Sequence, residues 1–289
     1  MGKYPEFDGK ARYSSFYRDQ LSATVKSEFF KAPVCVVIME ETSRREDTDA
    51  YPDEWVKTQD LLKEKLVTVD DFTWKLNSCS LDSDPNVPLR YVGGTDISFL
   101  KEDPSIACAA LVVLETGTLK IVHEEFDLVR LDVPYIPGFL AFREAPILLR
   151  ILERMKAKAN PFFPQLLMVD GNGVLHPRGF GLACHVGVLA NLPTIGVGKN
   201  LHHVDGLSRE EVRRRLEEPE NVDNNIIPLI GESGKIWGAA MRPGLGSLRP
   251  IYISIGHRVS LDSAVTLVKM CSKFRIPEPT RQQHVRGFW

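Results

Sequence analysis

Gln165 to Gly173 reads QLLMVDGNG, an apolar run that stops on a carboxylate and then turns through two glycines. Leu166 to Val169, bounded in this way, predict a buried strand with Asp170 at its exposed carboxyl end. In sheets of parallel strands, ligands and catalysis gather outside that end. A carboxylate there needs a partner, and a metal ion is the usual one. A second reading stays open, because D-G and N-G pairs also build hairpin turns. Against it stands the next periodic segment, LACHVGVLANL at 182–192, which is helical rather than a returning strand.

Downstream, TIGVG at 194–198 predicts another strand, so strand, helix and strand alternate as in a parallel α/β layer. Upstream, FLAFREAPILLRILERMKAK at 139–158 carries Ile147, Leu148, Ile151, Leu152 and Met155 at helical spacing, which predicts a helix covering one face of the sheet. Before it lie three strand-like runs, RYVGGTDISFL (90–100), SIACAALVVLE (105–115) and LKIVHEEFDLVRLD (119–132). Short turns join them, which predicts an antiparallel meander with Asp96 inside its first strand. The first two runs are almost continuously apolar, as strands covered on both faces are. Two more strands are expected at KIWGAAMR (235–242) and PIYISIG (250–256), then a helix over SLDSAVTLVKMCSKF (260–274), with Ser260 as N-cap and Asp262 in its first turn. Near the start, PDEWVKTQDLLKEKLV (52–67) has amphipathic helical spacing. Residues 1–50 show no sustained periodicity, and MEETSRREDTDAY (39–51) reads as a linker.

With 289 residues, 43% of them hydrophobic, the chain can bury a full core. Its longest apolar runs, PVCVVIM (33–39) and LLMV (166–169), fall far short of the ~20 residues a membrane span needs. MGKYPEFDGK lacks the apolar core of a secretory signal, and Glu6 stands where a myristoylation site carries Ser or Thr. Cys35, Cys79, Cys108, Cys184 and Cys271 are odd in number and form no C-x-x-C pair. A reducing compartment is therefore expected, cytoplasm or nucleus with the nucleolus included, along with buried inert thiols and no zinc site. The formal charge of -2 hides an asymmetry: residues 40–84 hold 13 acidic and 6 basic side chains, residues 241–289 hold 2 acidic and 8 basic. The basic end suits a polyanion such as nucleic acid, although a solvated surface would show the same excess.

Asp96 and Asp170 come from different strands and are expected to meet at one end of the sheet. Two hard oxygen ligands with positions left for water and phosphate suit Mg²⁺, which dehydrates reluctantly. Such an ion activates water and stabilises charge on the attacked phosphate. Taken singly, Asp96 also reads as a strand-edge acid. Glu144 lies early in the FREAP helix, where a surface acid or a partner for the helix dipole is an equal reading. His257 ends PIYISIG, placed either to move a proton near neutral pH or simply to fill a strand end. Asp262 can hold that histidine, bind metal through water, or only start a helix. In PYIPG, Pro134 and Pro137 fix the backbone around Tyr135 and Ile136, making a rigid aromatic tip or an ordinary proline turn. GVGKN (196–200) can bring Lys199 to a phosphate, or leave it as a surface lysine. Pro193 and Asn200 break the nucleotide-binding P-loop pattern, and GFGLAC (179–184) lacks the third glycine of the dinucleotide fingerprint, which disfavours ATP and NAD.

The order of elements, with one acid in the first strand and another ending the fourth, resembles ribonuclease H-like nucleases. A closer likeness is local. PYIPGFLAFREAP (134–146), MVDGNGVLHPRGFGLACHVG (168–187), PTIGVGK (193–199), GHRVSLDSA (256–264) and RIPEPTRQ (275–282) together resemble endonuclease V, and VDGLS (204–208) with FRIPEPTRQ (274–282) resembles its eukaryotic branch. The resemblance implies an α/β, ribonuclease H-like mixed sheet, three antiparallel strands then parallel strands, flanked by helices on both faces. Residues 51–289 would form the nuclease domain, with 1–50 an extension outside it. It further implies that Asp96, Glu144 and Asp170 hold Mg²⁺, for which Mn²⁺ can substitute, and that His257 and Asp262 assist. Pro134, Tyr135, Ile136 and Pro137 would form a wedge inserted at the lesion. Gly171 and Gly173 would border the flipped base, and Lys199 would contact the substrate backbone. Asn172 departs from the histidine common in bacterial members, so no role is carried over to it. The implied substrates are inosine-containing single-stranded RNA and deaminated DNA, cut by a monomer at the second phosphodiester 3′ of inosine to leave 3′-hydroxyl and 5′-phosphate. Two rivals remain: a non-catalytic binder of modified RNA, and another ribonuclease H-like, structure-specific nuclease.

Overall fold

The computed structural model describes residues 53–75, 88–101, 103–131, 133–222, 225–243 and 249–286; the extension 1–50, its linker-like stretch, Cys35 and Cys79 lie outside them. An eight-stranded sheet runs in the order β3-β2-β1-β4-β5-β8-β7-β6. β1 (Tyr91–Phe99), β2 (Ile106–Glu115) and β3 (Ile121–Arg130) form the expected antiparallel meander. β4 (Leu166–Asp170) then pairs in parallel with β1, and β5 (Thr194–Gly198) in parallel with β4. Beyond β5 the sheet reverses, with β8 (Ile251–His257), β7 (Ile236–Met241) and β6 (Ile226–Ile230) all antiparallel to their neighbours. The parallel part is thus confined to β1, β4 and β5, and β6 is a strand the sequence reading did not expect.

Two-residue periodicity sends neighbouring side chains of each strand to opposite layers. Leu167 and Val169 of β4 join Leu111 and Val113 of β2 beneath α2 (Leu140–Ala157) and α3 (Leu182–Ala190), which contribute Leu148, Ile151, Leu152, Met155, Ala183 and Val186. Leu166 and Met168 face the other layer with Ile195, Val197, Ile251 and Ile253, beneath Ala264, Leu267 and Val268 of α6 (Leu261–Met270). Helices on both faces explain why β2 is buried along nearly its whole length, while β3, at the edge, is mostly half-exposed. α1 (Asp53–Lys63) lies outside the first layer, with Trp55 stacked on Phe142 at 4.9 Å and Leu62 packed among Phe180 and Cys184.

Three further helices complete the fold. α4 (Arg209–Glu217) buries Val212 and Leu216 against β6 and β8, and its cap is Ser208, whose side chain accepts the Glu211 N–H at 3.2 Å. A short α5 (Pro219–Val222) follows. α7 (Glu278–Arg286) packs against β1, β2 and β4. At the head of α6, Ser260 is the cap expected, accepting the Ser263 N–H, and Asp70 reinforces it by accepting from Ser260 N–H and from both hydroxyls. Among the described residues, no helix is long and apolar enough to cross a membrane.

Candidate active site

The parallel pairing of β1 with β4 matches Thr95 to Val169, so the next step of the ladder sets Asp96 beside Asp170. Neighbouring strands lie about 4.8 Å apart, which brings two carboxylates together at the carboxyl edge of the parallel strands. Glu144, on the second turn of α2, is buried at 7% exposure and feels both of them. Burial is the first cause that raises its carboxyl to about 8; Asp96 and Asp170 add to the rise and Arg143 opposes it. Three acids so placed cannot all ionise near neutral pH without a cation. Lys199, just past β5, supplies one: its ammonium contacts the Asp170 carboxylate, which is only 14% exposed.

Among the described residues, no three His, Cys, Asp or Glu side chains are grouped as a ready-made metal cage. The donor chemistry still fits a magnesium-like ion, which is commonly held by one or two carboxylates with water and substrate oxygens completing the shell. A neighbouring pair of aspartates, a third acid whose pKa is raised first by burial and then by those aspartates, and a lysine seated on one aspartate form a set suited to a cation.

His257 and Asp262 are not brought to this edge. β8 runs antiparallel to β5, and His257 pairs with Thr194, which in turn pairs with Leu167. It therefore lies three residues back from Asp170, about 10 Å along the strands at ~3.3 Å per residue. The histidine is 4% exposed and its Nδ1 accepts the Val67 N–H at 3.3 Å. Burial first, then Arg258, lowers its pKa, against a small rise from Asp71, so it is a neutral group built into the far edge. Asp262 follows in α6 at that same far edge, exposed to solvent. A histidine ending this strand would adjoin the end of LLMVD only if the strand ran parallel to β4, and β8 runs the other way.

The loop after Asp170 is shaped by its glycines. Gly171 adopts φ 148°, a backbone region favouring glycine, and donates its N–H to Val197 O at 3.2 Å. A side chain on Gly173 would run into the Ile255 carbonyl. Gly173 N–H goes to Ser254 Oγ at 2.9 Å and its carbonyl accepts the Gly181 N–H at 3.0 Å. Both main-chain groups of Gly173 thus have partners inside the fold. Asn172 between them is 9% exposed, with its Oδ1 buried and unpartnered and with Gly198 closely against its amide.

The turn PYIPG leads into α2, the helix that carries Glu144. Pro134, Tyr135 and Pro137 are exposed, Tyr135 at 63%. Ile136 instead packs toward Trp55, Phe139 and Phe142, and Gln59 of α1 donates to the Gly138 carbonyl at 3.3 Å. The turn is thus anchored by one apolar side chain and leaves the phenol at its tip. Sequence reading missed Arg275, which donates to the carbonyls of Lys199 at 3.2 Å and Pro250 at 3.0 Å and so fastens the loop that presents Lys199. It also missed α7 against β1 and β4; the FRIPEP stretch marked that region only through its likeness, since two prolines mask the helical spacing that follows.

The model of the endonuclease V family matches residues 73–285, which include Asp96, Glu144 and Asp170. Endonuclease V of Homo sapiens is 46% identical over 232 residues, covering 80% of each chain, whereas the relative from the bacterium Trichormus variabilis is 37% identical over 230. Among solved structures, human ENDOV superposes with a TM-score of 0.71 at 45% identity, over 81% of this chain and 94% of that one. Endonuclease V of Ciona intestinalis, in complex with a 23mer DNA containing an inosine followed by a ribo-adenosine, gives 0.73 at 34% identity, over 83% of this chain and 96% of that one. With the acids that the likeness singled out side by side on the matching fold, the chain belongs to the endonuclease V family, on its eukaryotic side.

Proposed function

We propose that this protein is a divalent-metal-dependent endonuclease that recognises inosine in single-stranded RNA and in deaminated DNA. The observation that carries the reading is the parallel pairing of β1 with β4 up to Thr95 and Val169, which sets the next residues, Asp96 and Asp170, side by side at the carboxyl edge, with buried Glu144 responding to both. Mg²⁺, or Mn²⁺ in its place, would be held by Asp96 and Asp170, with Glu144 completing the set. When bound, such an ion would supply activation of a water and neutralisation of charge on the attacked phosphate. Lys199 meets the remaining negative charge of the phosphate from the Asp170 side. Water oxygen bonds to phosphorus as the bond to the 3′ oxygen breaks, and the products carry 3′-hydroxyl and 5′-phosphate. The second phosphodiester 3′ of inosine is the one cut.

Tyr135 stands at the tip of a turn anchored by Ile136, where an aromatic ring can replace a base drawn out of the stack. The drawn-out base is read by the glycine-bordered loop that follows Asp170, with Gly171 at its wall. Residues 51–289 form the nuclease domain, acting as a monomer in the cytoplasm or nucleus. The deciding experiment uses matched single-stranded RNA and DNA oligonucleotides with a central inosine or adenosine, incubated with Mg²⁺, Mn²⁺ or chelator. Cutting is expected with either metal, at one position 3′ of inosine, and not with adenosine or chelator. Equal cutting of adenosine strands would instead favour a structure-specific nuclease, and tight binding without cutting a modified-RNA binder.

A further inference from the structure

Among the exposed large apolar side chains of the described residues, three are aromatic: Phe126, Tyr135 and Phe274. Phe126 sits on the edge strand β3 at 37% exposure, between Glu125 and Asp127, whose carboxylates are already paired with Arg150, Arg154 and Lys158. Phe274 is 58% exposed and lies in the chain's basic region, beside Lys273 and Arg275. The Arg281 guanidinium lies 4.7 Å from its ring centre. That guanidinium is held in place by two bonds, Nε at 2.9 Å and Nη2 at 2.8 Å, to a Glu278 carboxylate that is itself 2% exposed. The guanidinium is thus held against the ring before anything binds.

The pair is tied to the acid edge by two routes. Arg275, the next residue, bonds the carbonyl of Lys199, whose ammonium contacts Asp170. Arg281 is part of α7, the helix that packs on β1 and β4. Exposed aromatic rings backed by arginine on a cationic surface suit stacking against bases of a single strand, without sequence preference. We propose that Phe274, braced by Arg281, is a stacking platform for a nucleobase in the strand flanking the cleaved site. This rests on the reading of the Asp96–Asp170 edge as the place of cleavage. Glu278 neutralises Arg281, so the platform contributes through stacking rather than through phosphate pairing.

The test measures binding of the full-length protein, under chelator, to fluorescent single-stranded RNA with a central inosine and flanks of either twelve or three nucleotides. Phe274→Ala is expected to weaken binding of the long strand on the order of tenfold and to leave the short strand unchanged. Phe274→Trp is expected to bind both strands as the parent does, and the dependence of affinity on salt should keep its slope, because no charge is lost. The proposal is overturned if Phe274→Ala binds the long strand normally, if it weakens both strands equally, or if Phe274→Trp fails to restore binding. Cleavage by the parent protein with Mg²⁺ separates the two readings. A parent that cuts inosine RNA beside an indifferent Phe274→Ala removes the platform alone, whereas a parent that neither binds nor cuts removes the nuclease reading with it.

Discussion

Lys199 sets the resting state of Asp170. Its ammonium is 31% exposed and the carboxylate 14%, so the pair is half inside the protein, and an arriving divalent cation must compete with it or share the carboxylate. Asp170→Ala leaves Lys199 near enough to water to stay solvated, and the fold should survive. Cleavage of inosine RNA is expected to fall by at least about a hundredfold, given that even outer partners of metal ligands cost 10–100-fold. The melting temperature should move by no more than a few degrees. Retained cutting by this variant, scored on gels, would take Asp170 out of the reaction. His185 is a different kind of buried group: fully enclosed in α3, edge-on to Phe142 at 5.0 Å, with burial lowering its pKa to about 4. The unfolded chain binds a proton near pH 6.5 that the fold refuses. Stability from this residue is therefore complete above about pH 6.5 and is lost as pH falls from there toward 4. His185→Phe should remove roughly 2 kcal/mol of the loss between pH 7 and pH 5, read from urea unfolding at the two pH values; an unchanged difference would mean that His185 does not carry it.

Strand direction decided which expected site residues meet. LLMVD announced a buried strand with an acid at its end through composition and length alone, and Asp96 followed from the adjoining run; parallel pairing then placed the two acids together. For PIYISIG the same local signal identified the strand but held no information on its direction. The antiparallel return of β8 puts His257 and Asp262 at the other edge. The missed elements have similar causes. In β6, Pro228 interrupts a five-residue run, although its side chain sits at an exposed position. α4 is too charged to show an apolar stripe beyond Val212 and Leu216, even though Ser208 and Glu211 spell its cap. Glu144 was legible as helical but not as buried, because its burial comes from the packing of α2 against α3, β2 and β3. Close approach between elements is likewise invisible in sequence. A side chain on Gly187 of α3 would strike Thr194 Oγ1 and come within 2.5 Å of His257 Cβ, both at the start of the β5–β8 pairing. Gly187→Ala must lift α3 off these strands, since Thr194 and His257 are both buried. A loss of about 1–3 kcal/mol is expected, as for other overpacked cores, measured as a lower urea midpoint at constant m. A neutral or stabilising result would show that α3 yields without cost.

At the scale of the molecule, α1 lies N-terminal to the span matched by the family model, yet it is joined both to the PYIPG turn and to the loop that follows Asp170. Gln59 donates to Gly138 O behind the PYIPG turn and to Phe180 O at 3.0 Å in the loop that follows Asp170. Asp60 pairs with Arg178 of that loop at 2.9 Å, and Lys63 Nζ donates to the Arg178 carbonyl at 2.9 Å. Trp55 and Leu62, 4% and 6% exposed, cover Phe139, Phe142 and Phe180. One helix thus clamps the aromatic tip and the loop after Asp170 to a common support. Two truncations separate this helix from the extension before it. Removing residues 1–50 leaves every one of these contacts in place, and stability and inosine cleavage should match the full chain. Removing residues 1–63 uncovers the aromatic cluster and forgoes the burial of two large side chains, about 3–6 kcal/mol at ~1.5–3 each. That shorter chain should unfold at markedly lower urea and, where still folded, should lose inosine binding ahead of its sheet, because the two loops lose their shared anchor while β1 and β4 do not. If the shorter chain bound and cut inosine RNA like the longer one, the loops would be held by the sheet alone and α1 would be only a cover.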